Sequence, residues 1–198
     1  MKHPELLLVP TFMLTDYFLT LAGAIQMEKK YGDHFKTEHY ELNPLWQKNV
    51  AHKKWFNPKH LLLTTFVTLI LLFMTEYVEM SENFVKGALG CLIVFLGMVI
   101  GRHFCNLMIF RYMINRPDEI SGCVTMTHDL VLRISLYQYS VVIVPLSLIA
   151  FFSPDPFVIG AMLAGVLMIM THIEWISKRR EKRELSGQQD AGNGNSNV

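Results

Sequence analysis

Gly97-Met98-Val99-Ile100-Gly101-Arg102-His103-Phe104-Cys105-Asn106 decides how this chain is read. It closes an apolar run that begins at Phe84 and ends at Phe110, long enough to cross a bilayer as one helix. Two glycines four residues apart let another helix approach closely. Arg102, His103 and Asn106 then stand where hydrocarbon is expected. A charge at the bilayer centre costs from about 2.5 to above 10 kcal/mol, so it persists only when paired, snorkelled or beside water. The partner the sequence offers is Asp16, inside the first apolar run.

Of 198 residues, 51% are hydrophobic, too many for an ordinary soluble domain. Five runs reach roughly 20 residues: 6–27, 60–79, 84–110, 134–152 and 157–176. The chain is therefore expected to be an all-α, polytopic membrane bundle of five transmembrane helices over 1–183. Residues 184–198, rich in Gly, Asn, Gln and Ser, read as a disordered cytoplasmic tail.

Charge distribution orients the bundle. Glu28–Lys59, Arg111–Arg133 and Ser177–Val198 hold 7, 3 and 5 of the 18 Lys and Arg residues. The opposite side has only Lys2 and Lys86. Positive charge stays on the cytoplasmic side, so the N-terminus is expected outside and the C-terminus inside a cell membrane (inner or plasma). The apolar core of the first run contains Asp16 and is followed by no clean cleavage site, so it is expected to be retained. Three cysteines without zinc-type spacing imply neither a disulfide framework nor a zinc site.

Asp16, Thr20 and Gly23 share one helical face. In the polar segment that follows, His34, Glu38 and His39 are possible metal ligands. Their spacing misses both H-E-x-x-H and H-x-x-E-H, and a solvated loop is the plainer reading. Residues 43–56, with Trp46, Val50, Trp55 and Phe56, read as an amphipathic segment at the headgroups, opened by the helix-start signal Asn43-Pro44. Asn57-Pro58 restarts the chain into the second span, and Cys123–Arg133 is expected to run helically into the fourth.

The combination Asp16-x-x-Leu19-Thr20, then Glu41-Leu42-Asn43-Pro44-Leu45 and Lys59 at the head of the next span, resembles an uncharacterised family. This is a domain-of-unknown-function family of small bacterial and archaeal polytopic membrane proteins. The resemblance covers the first third of the chain and implies that Asp16, Thr20, Glu41 and Asn43 act together. It implies no activity.

Strong polar residues collect in the cytoplasmic half: Arg102, His103, Asn106, Gln138 and His172. With Asp16, Thr20, Glu41 and Asn43 they make the candidate ligand-binding set, a cavity open to the cytoplasm. His103 and His172 join His34 and His39 as possible metal ligands; no cofactor is indicated. Transport or ligand and ion binding is the favoured role. The alternatives are a membrane-embedded enzyme on a lipid-like substrate and a non-catalytic subunit of a larger complex. Expected partners are the lipid bilayer and a second copy or another membrane protein at Gly97 and Gly101, with no nucleic acid.

Overall fold

Four of the helices start where a side chain accepts an orphan N–H group of the first turn. The computed structural model describes residues 3–31, 34–37, 41–43, 46–119 and 121–193. A 3₁₀ turn at Pro4–Leu7 runs into α1 (Leu8–Gln26), which loosens into a π turn at Met27–Tyr31. After the short strand β1 (Phe35–Thr37) comes the five-residue α2 (Gln47–Ala51). Asn57 caps α3 (Pro58–Tyr77) by accepting from the Lys59 and His60 amides, with Pro58 in the first turn as its fixed φ favours. Ser81 caps α4 (Glu82–Asn115), and Thr127 caps α5 (His128–Phe152) after the strand β2 (Val124–Met126). Asp155 accepts from the Phe157 amide at 2.8 Å at the head of α6 (Pro156–Asn193).

Five of these helices are long and apolar enough to cross a membrane: Pro4–Lys29, Pro58–Tyr77, Glu82–Asn115, His128–Phe152 and Pro156–Glu181. They match the five apolar runs and mostly extend beyond them, because helical backbone continues after the side chains turn polar. The backbone of 184–193, expected as unstructured tail, continues α6 as helix. Among the described residues of the expected amphipathic segment, only Gln47–Ala51 are α-helical, and Lys53 takes a positive φ just beyond that helix.

The 123–133 segment also departs from expectation. Instead of entering the fourth span as helix, Val124–Met126 is extended and pairs in parallel with Phe35–Thr37. Gly122 at φ +82° breaks the chain before it, β-branched Val124 and Thr125 favour the extended form, and Thr127 is needed as a cap. The pairing ties two connecting segments together at one end of the bundle, and His34 Nδ1–H reinforces it by donating to the Gly122 carbonyl at 2.9 Å.

Laterally the helices follow the order α3, α1, α4, α6, α5. The fourth helix is central, packed against α1 on one side and α6 on the other, while α5 leans mainly on α6 and α3 on α1. One core cluster joins Met98, Tyr139, Ala164 and Met168 at mid-height of α4; a second, at the start of α4, joins Leu6, Val85 and Leu89. The outward faces carry large exposed apolar side chains such as Leu62, Phe66, Val141 and Phe151.

The close helix crossing is not at Gly97 and Gly101, where a Cβ would have nothing within 4 Å. It lies between α4 and α6, where a Cβ on Gly160 would be driven into the Gly87 carbonyl and one on Gly90 into the Phe157 carbonyl. Gly97 and Gly101 instead floor an open cleft.

Candidate functional site

Asp16 and Thr20, one turn apart on α1, face α4 at His103. His103 is buried, with its Nε2 3.4 Å from Asp16 Oδ1 and 3.2 Å from Thr20 Oγ1. Asp16 retains 28% of its side-chain surface, yet its Oδ1 is buried and takes no hydrogen bond among the described residues. A buried carboxyl oxygen is costly unless its lone pairs are satisfied. Here one is not.

Arg102, the partner proposed from sequence, turns elsewhere. Its Nη1 donates to Ser135 Oγ at 2.7 Å, and its guanidinium carbon lies 5.8 Å from the centre of the Tyr139 ring. Ser135 Oγ is also 3.0 Å from His172 Nε2, while His172 Nδ1 is 2.9 Å from the Met168 carbonyl. A carbonyl can only accept, so Nδ1 carries the hydrogen and, in the neutral ring, Nε2 accepts. The polarity of the chain follows: Arg102 donates to Ser135, Ser135 to His172, and His172 to Met168. Three side chains on α4, α5 and α6 are thereby oriented by one acceptor that belongs to the backbone.

Glu41 reaches this cluster from the connection between α1 and α2. It is buried, and its Oε1 accepts from the Asn43 amide at 2.7 Å. Burial pushes its carboxyl above the usual range, against the lowering effects of the Asn43 amide and of Arg102. Asp16 lies in the field of both Glu41 and Arg102, so the three charges act as a group though no two form a direct pair among the described residues.

The sequence set thus divides. Asp16, Thr20, Glu41, Arg102, His103 and His172 gather, while Asn43 contributes its amide to Glu41. Asn106 is half-buried one turn beyond His103, and Gln138 is exposed on α5 beside the cleft. His34 belongs to the β1–β2 corner, away from His103 and His172, and His39 lies outside the described residues. Among the described residues no three His, Cys, Asp or Glu side chains converge as metal ligands.

Three residues outside the candidate set complete these surroundings. Ser135 and Tyr139, one turn apart on α5, form the buried link between Arg102 and His172. Their shared helical face was the available signal. The other is His60, whose Nε2 donates to the Met13 carbonyl at 3.1 Å between the stacked Tyr17 ring and the edge of Trp46.

Beside the cluster lies a cleft of about 610 Å³ between α1, α4 and α5. Ile93, Val94, Gly97 and Val142 line it towards one end and Arg102 and Gln138 towards the other. Comparison with models of protein families, with curated proteins and with solved structures gave no match to this chain. What stands defined is the class: a helical protein with five apolar helices of membrane-crossing length around a buried polar cluster.

Proposed function

We propose that this chain is a multi-pass protein of the cell membrane, N-terminus outside and C-terminus in the cytoplasm. In this reading it binds and conducts a cation or proton at Asp16, reached from the cytoplasmic side. The observation that carries this is the Asp16 Oδ1 atom: buried, without a hydrogen bond among the described residues, and facing His103 Nε2 at 3.4 Å with Thr20 beside it. Orientation rests on the Lys and Arg asymmetry, which puts the end carrying the cluster inside. An intramembrane acid with an unfilled lone pair suits reversible ion or proton binding, because the missing partner is supplied by the ion. Membership of the domain-of-unknown-function family is part of this proposal. Glu41 lying in the field of Asp16 supports it, since that pattern groups the two.

One observation favours a second reading. A histidine between a carboxylate and a hydroxyl, next to an apolar cleft, also suits an enzyme acting on a lipid-like substrate.

The test is ion movement in proteoliposomes loaded with a pH-sensitive dye. Wild-type protein should dissipate an imposed proton or sodium gradient, and Asp16→Asn should not. Wild-type vesicles as tight as empty ones to both ions would refute conduction. Breakdown of an added phospholipid by wild type but not by His103→Ala would favour the enzyme.

A further inference from the structure

We infer that the cleft between α1, α4 and α5 takes one acyl chain of an anionic phospholipid, its phosphate held by Arg102 and its chain laid along Gly101, Gly97 and Ile93. This deepens the reading of the cluster as a ligand site and rests on it.

The shape of the cleft argues for an amphiphile. Its wall on α4 runs from Ile93 to Cys105, about 18 Å at 1.5 Å per residue, the scale of an extended acyl chain. Polar groups are confined to one end, where Arg102, Gln138 and Tyr139 meet. Phe12, Ile93, Val94 and Val142 offer only hydrocarbon. Gly97 and Gly101 leave the middle open, since a Cβ at either would meet nothing within 4 Å. These glycines deepen a groove rather than seat a helix of the same chain.

Charge argues for an anionic head. Arg102 lines the cleft, and its close described contacts are both neutral, the Ser135 hydroxyl and the Tyr139 ring, while Asp16 and Glu41 act on it only through their field. No carboxylate lies within ion-pair distance of it among the described residues, and its buried Nε has no hydrogen-bond partner there. A guanidinium presents a planar fork of five donors, which matches the oxygens of a phosphate. Gln138 stands exposed at the same end, ten residues into an apolar helix, without a hydrogen bond among the described residues. An exposed amide at that depth is costly in hydrocarbon and is satisfied by a lipid head drawn inward.

Position selects phospholipid over a free fatty acid. The polar end of the cleft faces the end that carries the basic connections, so a lipid of that leaflet enters sideways, its phosphate drawn inward from the headgroup level to Arg102.

The full chain, purified in detergent and incubated with equal amounts of dioleoyl phosphatidylglycerol and dioleoyl phosphatidylcholine, is analysed for bound lipid by native mass spectrometry. Wild type should retain the anionic lipid by about tenfold (about 1.4 kcal/mol) over the zwitterionic one. Arg102→Gln should remove that preference. Gly101→Leu, which enters open space and leaves the melting temperature unchanged, should lose the lipid by filling the cleft, so the test survives if Arg102→Gln does not fold. Equal retention of the two lipids by wild type, or undiminished retention by Gly101→Leu, would overturn the inference. Displacement of the phospholipid by equimolar oleate would overturn the choice of a phospholipid. None of these outcomes bears on the gradient assay of Asp16, so the two readings fail separately.

Discussion

Replacing Gly160 by alanine tests the tertiary arrangement at its tightest point. The new methyl would point into the Gly87 carbonyl, short of an ordinary contact of about 3.5 Å by well over 1 Å. The atom it meets is backbone in the second turn of α4, so no side chain can swing away. Relief requires α4 and α6 to part by roughly 1 Å, and such a gap forfeits about a quarter to a half of each dispersion contact along the crossing. Added to the about 1–3 kcal/mol that overpacking alone costs, the loss should come to about 2–4 kcal/mol. Gly101→Ala is the matched control. It lies on α4, the other helix of that crossing, meets nothing within 4 Å, and trades a poor helix former for the best one, so it should be neutral or stabilising by up to about 1 kcal/mol. Both are measured by reversible unfolding in mixed detergent micelles, followed by circular dichroism. Equal costs within about 0.5 kcal/mol, or a reversed order, would show that the α4–α6 crossing is misassigned.

Three further outcomes follow from the polar cluster. Ser135→Ala deprives Arg102 of an acceptor and His172 of a donor, and should cost about 1–3 kcal/mol in the same assay, with Ser135→Thr recovering part of it; a loss under about 0.5 kcal/mol would contradict the relay. Because burial raises the Glu41 carboxyl above its ordinary 4.5, the folded chain holds that proton where the unfolded chain has released it. Its contribution to stability is therefore full below pH 4.5 and lost as pH rises through the raised value. Glu41→Gln should melt like wild type at about pH 4 and higher than wild type at about pH 8, and parallel melting curves against pH would refute the assignment. Finally, a double-mutant cycle of Asp16→Asn with His103→Gln should show coupling of about 0.5–3 kcal/mol, as contacting residues do, and exceed the cycle of Asp16→Asn with Arg102→Gln. The opposite ranking would return Arg102 to the role of direct partner.

Much of the fold was legible because hydrocarbon leaves the chain few choices. A run of about 20 apolar residues must be helical if it spans, so five runs gave five helices, and Asn57-Pro58 marked a start that the Asn57 side chain does cap. The candidate site was legible in composition. Asp16, Arg102, His103 and His172 stand out against apolar neighbours, and the fold joins them in two contact groups, Asp16 with His103 and Arg102 with His172 through Ser135.

Pairing was not legible. Gly97 and Gly101 have the textually ideal spacing for a close crossing, yet Gly87, Gly90 and Gly160 provide it, because only the course of α6 decides which small residues meet a backbone. Arg102 and Asp16 were matched by charge, but a residue's neighbour on the adjoining helix is fixed by rotation about the helix axis. Along α4, His103 faces α1 while Arg102 faces α5, since successive residues point about 100° apart. Helices apolar on every side record no such rotation in their sequence. Sequence therefore determined that five helices form and which of their residues are chemically out of place. Packing alone decided which of those residues touch, because contact depends on the facing of helices whose apolar surfaces look alike from every side.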